Sequence, residues 1–67
     1  PQRMLAVDDL LSELAAVNPR QALIVEGKFF GGLTVSDLSK LTGVAEVTVM
    51  RDWRAARAWL SAELVTR

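Results

Sequence analysis

The chain has 67 residues, which suits one small domain over residues 1–67, and it contains eight basic residues, eight acidic residues, no histidine and no cysteine. This composition excludes disulfides, the usual zinc-binding sets and the commonest general base, so we expect no enzyme and no metal or other cofactor. Neither a signal peptide nor an apolar run of about 20 residues is visible, so we expect a cytoplasmic protein without a membrane partner.

The first predicted helix begins at Asp8 or Asp9, either of which can cap it, and ends near Val17. Its apolar face is expected to contain Leu10, Leu11, Leu14 and Ala15. Residues 1–7 carry no strong signal and are expected to form a flexible lead-in. Because the chain starts with proline rather than methionine, we expect it to be a fragment of a longer protein.

The second predicted helix has a strong start signal at Asn18 and Pro19. Asn18 can accept hydrogen bonds from the first unpaired N–H groups, and Pro19 fits the first helical position. The helix is expected to run through Phe30, where a glycine pair at positions 31–32 ends it. Gly27 inside the helix costs about 1 kcal/mol relative to alanine, which indicates close packing against another helix.

A third, short helix is predicted over Val35–Thr42. Thr34 can cap it, with Asp37 in its first turn, in the manner of a capping box. Gly43 ends it and can adopt a positive φ without a steric penalty, as a sharp turn requires. Ser39 is small at the point where this helix and the next would cross closely.

The fourth predicted helix begins at residue 45 or 46 and runs to Leu64, which completes a helix-turn-helix pattern whose second helix can enter the DNA major groove. At about 100° per residue, one stripe of this helix faces the core and contains Val49, Trp53, Ala56, Leu60 and Leu64. Val49 is expected to share this core with Leu38 and Val44. The opposite side contains Val47, Arg51, Arg54 and Ala58, with Thr48 and Ala55 on one shoulder.

Charge is unevenly distributed, although the formal net charge is zero. Residues 1–50 contain four basic and six acidic residues, whereas residues 51–67 contain four basic and two acidic residues. A zero net charge counts against simple nucleic-acid binding, but the four late basic residues are all arginine, which suits bidentate contacts to phosphate and guanine. An ordinary solvated helix face is the alternative interpretation of these arginines.

The run NPRQALIVEGKFFGGLTVSDLSKLTGVAEVTVMRDWRAARAWL resembles region 4 of bacterial RNA polymerase sigma factors of the extracytoplasmic-function (ECF) type. The resemblance extends from about Asn18 to Leu64 and is most specific in the segment RDWRAARAWL. It implies an all-α bundle of about four helices that binds the −35 element of promoter DNA with its last helix. It also implies docking on the β flap of core RNA polymerase.

Carried over position by position, the resemblance implies a set of groove and backbone contacts to DNA. These are Thr34, Ser36, Lys40, Glu46, Val47, Thr48, Arg51 and Arg54. The sequence departs from the family pattern at Thr42, where a larger apolar residue is usual, and at Ala45, where serine is usual. It also departs at three positions where proline or basic residues are frequent, namely Glu46, Val47 and Met50. We therefore expect a different promoter sequence and weak DNA binding by the isolated domain.

Two other functions remain open at this point. The four helices can form a protein-interaction module for the polymerase flap or an anti-sigma factor, as the zero net charge, Val47, Met50 and Trp59 indicate. A helix-turn-helix domain of the response-regulator type shares the same turn. An enzyme is the least expected class because no nucleophile–base set is recognisable, and no small-molecule ligand is expected.

Overall fold

This computed structural model describes residues 2–66, with side-chain surroundings from residue 7 onward. The described residues form four helices and the turns between them. They are α1 (Gln2–Val17), α2 (Pro19–Phe29), α3 (Val35–Thr42) and α4 (Glu46–Thr66). The described residues contain no strand, which confirms the small all-α bundle. None of the described helices combines the length and apolar character needed to cross a membrane.

The starts of α2 and α3 follow the predicted capping residues. The Asn18 side chain accepts a hydrogen bond from the Gln21 N–H at 3.1 Å, and Pro19 occupies the first turn of α2. At α3, the Thr34 hydroxyl accepts from the Asp37 N–H and the Asp37 carboxylate accepts from the Thr34 N–H, both at 3.0 Å. The predicted capping box and the predicted bounds of α3 are therefore confirmed.

The predicted start of α1 is wrong, because the helix begins at Gln2 rather than at Asp8 or Asp9. Both aspartates lie inside the helix with exposed side chains, where solvent hydrates their carboxylates and no capping role is needed. Ala15 is exposed and does not belong to the buried face. It lies about 90° around the helix from the centre of the buried leucines. The flexibility of residues 1–7 stays a prediction, and residue 1 lies outside the described residues.

The core consists of two clusters that both use α4. The first joins α1, α2 and α4 through Leu10, Leu11, Leu14, Ala22, Val25, Ala56 and Leu60. The second joins α2, α3 and α4 through Ile24, Leu38 and Val49, with Val44 packed against it, as predicted for the helix-turn-helix. Leu64 was expected in the core but is 42% exposed, because it lies at the wall of an open groove near the end of α4.

Two glycines fix how the helices meet. A Cβ added at Gly27 would lie 2.6 Å from Cδ2 of the fully buried Leu38, so the predicted close approach of α2 to α3 is confirmed. Gly43 ends α3 at φ 75°, in the left-handed region. The Ser39 hydroxyl then donates a 2.6 Å hydrogen bond to the Val44 carbonyl, which ties the turn to α3.

Candidate nucleic-acid interface

The outer face of α4 is defined by what the helix buries on its other side. Val49, Ala56 and Leu60 face the two core clusters, so the residues about half a turn away point to solvent. On that side Val47, Arg51, Arg54 and Ala58 are all exposed, as predicted. Glu46 is also exposed, and Thr48 is half-buried at the edge of this face. One helix therefore presents all five α4 residues of the predicted contact set.

The remaining three predicted contact residues belong to α3 and its cap. All three side chains are exposed and none is buried in the core: Thr34, Ser36 and Lys40. The capping box fixes Thr34, whose N–H donates to the Asp37 carboxylate and whose hydroxyl accepts from the Asp37 N–H. Hydrogen bonding to the Thr34 backbone and side chain keeps the pKa of the Asp37 carboxyl below its ordinary value of 3.8. The backbone hydrogen bond is the larger of these causes, and Lys40 adds a smaller favourable charge. The start of α3 is therefore a fixed, polar surface.

A partly buried ion pair behind the outer face was not predicted. Asp52, which directly follows Arg51, is only 7% exposed, and its Oδ2 accepts a 2.6 Å hydrogen bond from Nε of Arg20 on α2. Gln21 lies nearby, with its Nε2 3.5 Å from the other carboxylate oxygen. The partners are 32 residues apart, so no local pattern reveals them. The signal available was angular, because Asp52 lies only about 60° around the helix from the mean direction of the buried Val49, Ala56 and Leu60.

Trp53 contacts both core clusters and the cationic groups of Lys28 and Arg57. It is half-buried and packs against both core clusters, with the Phe29 ring centroid 5.1 Å away. The Lys28 ammonium and the Arg57 guanidinium lie 5.7 and 5.8 Å from its ring centroid, within the range of cation–π attraction. Arg57 is therefore directed toward this ring rather than toward the outer face of α4.

An apolar groove lies where α1, α2 and the C-terminal half of α4 meet. Its volume is about 400 Å³, and exposed Phe29 and Phe30 contribute to its wall. The full lining comprises Val7, Asp8, Val25, Phe29, Phe30, Arg57, Leu60, Ser61 and Leu64. Trp59 does not line it and instead packs against the first core cluster. Within the described residues, no three acidic side chains converge as a metal site requires.

Comparison with protein families gives one result that agrees with this geometry. A family model described as ECF sigma factor matches residues 1–66. The match covers almost the whole chain, including all four helices and both core clusters. No curated protein and no solved structure matches the chain.

Proposed function

Because the chain belongs to the ECF sigma factor family, which acts in transcription initiation, we propose that this domain binds the −35 element of promoter DNA through α4. The observation that carries the proposal is the exposure of Arg51 and Arg54 on the side of α4 opposite the core. Such a role requires no catalytic residue, and its place of action is the cytoplasm, where promoter DNA and core RNA polymerase meet.

The arrangement of the helix-turn-helix supports this role. In such motifs the N-terminal part of the second helix meets base edges in the major groove, while neighbouring parts contact the backbone. The exposed start of α4 contains Glu46 and Val47, which fit the first position, and Thr48 lies at its edge. Thr34, Ser36 and Lys40 fit the second, because they lie on the exposed surface of α3 and its cap.

The ion pair of Asp52 removes an electrostatic objection. An exposed carboxylate next to Arg51 would repel phosphates and weaken the attraction that this arginine provides. Asp52 instead points inward, and the Arg20 guanidinium partly balances its charge. The outer face of α4 after residue 46 therefore presents arginines without an exposed acid between them.

The test is a titration of the chain with a duplex selected from a random pool, at several salt concentrations. We expect affinity to fall steeply with salt and Arg51→Ala to lose about 1–3 kcal/mol of specific binding. Arg57→Ala is the matched control, because this arginine lies on the same helix but against Trp53. Equal affinities for wild type and Arg51→Ala would remove Arg51 from the proposed base contacts.

A second role, protein docking, is favoured by the apolar groove. We propose that the groove receives an apolar segment of core RNA polymerase, with the β flap as the expected element and an anti-sigma factor as a competing occupant. Exposed Phe29 and Phe30 supply the apolar surface, and Arg57 and Asp8 supply charges of both signs in the lining. This role is distinguishable from DNA binding, because an apolar contact depends little on salt.

A further inference from the structure

Two large apolar side chains stand on the exposed start of α4 without a partner in either core cluster. Val47 is 56% exposed and Met50 is 42% exposed. Each precedes an exposed arginine by four residues, so Val47 neighbours Arg51 and Met50 neighbours Arg54 on the helix surface. The apolar atoms and the arginines thus share one side of the first two to three turns.

This apolar pair is separate from the groove proposed for protein docking. The groove takes its α4 residues from the C-terminal half of the helix, between Arg57 and Leu64. Val47 and Met50 lie in the N-terminal two turns, beside the turn at Gly43. A partner on Val47 and Met50 therefore meets the flanking guanidinium groups of Arg51 and Arg54, which favours a polyanion that also offers apolar groups.

Duplex DNA has this chemistry in its major groove. The phosphates suit the arginines, and the C5-methyl group of thymine is the apolar group that base edges display there. We propose that Val47 and Met50 are specificity-determining residues that contact thymine methyl groups in the recognised site. This inference rests on the proposed DNA-binding function, and it names the feature of the DNA that the start of α4 reads.

The test removes single methyl groups from the DNA. Duplexes enriched by the 67-residue chain from a random pool at low ionic strength are resynthesised with deoxyuridine in place of thymidine, one position at a time. We expect at least one position where affinity falls about fourfold, the ratio that corresponds to burying one methyl group. In Val47→Ala or Met50→Ala, the ratio of the affinities for thymidine and deoxyuridine at that position should fall toward one, because the contacting atoms are gone.

Val65→Ala is the matched control variant. Val65 lies 18 residues, or five turns, after Val47 on the same side of α4, and it is 86% exposed. Its truncation removes the same atoms far from the proposed contact, so the thymidine-to-deoxyuridine ratio should equal that of wild type. A ratio that changes as much in Val65→Ala as in Val47→Ala would overturn the assignment.

Failure of this inference differs from failure of the proposed function. If a sequence is enriched but deoxyuridine is tolerated at every position, the chain binds specific DNA and the methyl contacts are refuted. If enrichment depends on thymines whose methyl effect persists in both Val47→Ala and Met50→Ala, other residues read them and this assignment falls. If no sequence is enriched, the DNA-binding role fails and this inference fails with it.

Discussion

Asp52 on α4 and Arg20 on α2 form an ion pair in which the carboxylate is largely desolvated and the guanidinium is still partly in water. Their side chains are 10% and 45% exposed, and Nε of Arg20 lies 2.6 Å from Oδ2 of Asp52. The pair joins the start of α2 to the middle of the helix that carries Arg51. Because only Asp52 is desolvated, the two partners should respond differently to substitution.

Arg20→Ala should destabilise the domain by about 2 kcal/mol, because it leaves a buried carboxylate with only a weak contact to Gln21. Asp52→Asn should cost about 1 kcal/mol, since an amide oxygen of the same shape can still accept from Arg20. The double variant Arg20→Met/Asp52→Leu should recover most of the loss.

Urea unfolding monitored by circular dichroism measures the free energy of unfolding of all three variants, with exposed Asp9→Asn as the control. A larger cost for Asp52→Asn than for Arg20→Ala would contradict the assigned asymmetry.

Gly27→Ala and Gly43→Ala should destabilise for different reasons. At Gly27 the new Cβ meets Cδ2 of buried Leu38 at 2.6 Å, and overpacking should outweigh the gain in helix propensity by about 1–2 kcal/mol. At Gly43 nothing lies within 4 Å, and the cost of about 1 kcal/mol comes from the left-handed backbone.

Thermal unfolding of paired variants separates these causes. In a Leu38→Ala background, most of the cost of Gly27→Ala should disappear, because the 2.6 Å contact is absent and only Cδ1 of Leu33, at 3.2 Å, remains close. Gly43→Asn should be milder than Gly43→Ala, since asparagine tolerates positive φ better. Finding Gly27→Ala equally costly with and without Leu38 would refute the steric explanation.

Asp37 should titrate below its ordinary pKa of 3.8, because its folded carboxylate accepts the Thr34 N–H. A lowered folded pKa means that this group stabilises the fold above the unfolded value and that the contribution is lost as pH falls through the folded value. Carbon-detected NMR of the Asp37 carboxyl measures the midpoint. Thr34→Ala should move it only part of the way back, because the backbone donor remains, and should cost about 1 kcal/mol of cap stability. A midpoint unchanged from 3.8 in the wild type would contradict the capping box.

Phe30→Ser should weaken binding to core RNA polymerase while leaving DNA binding intact. Phe30 is 66% exposed at the groove, so its loss removes apolar contact area without opening the core. Val17→Ser is a matched control, because Val17 is 81% exposed but does not line that groove. Pull-down with core polymerase measures the first property, and duplex titration measures the second. Equal polymerase binding by both variants would exclude the groove from this contact.

Local signals predicted the helix-turn-helix well, because its ends depend on residues adjacent in sequence. Thr34, Asp37 and Gly43 act within one turn of their own positions, and the bounds of α3 match the prediction. The start of α1 was not predictable from capping residues, since Asp8 and Asp9 lie inside the helix as exposed side chains. The placement of Asp52 depends on Arg20, a partner that only the tertiary fold supplies. Contacts between the α4 face and DNA bases depend on a second molecule, so the predicted contact residues stay a prediction.

The two tryptophans provide an optical consequence of the divided core. Trp53 packs against both clusters, whereas Trp59 packs against the α1–α2–α4 cluster alone. Trp59→Phe therefore leaves an indole whose fluorescence senses the whole bundle, and Trp53→Phe leaves one that is blind to the α3 side. Comparing the emission of these two single-indole proteins during unfolding shows whether the α2–α3–α4 cluster loosens before the α1–α2–α4 cluster.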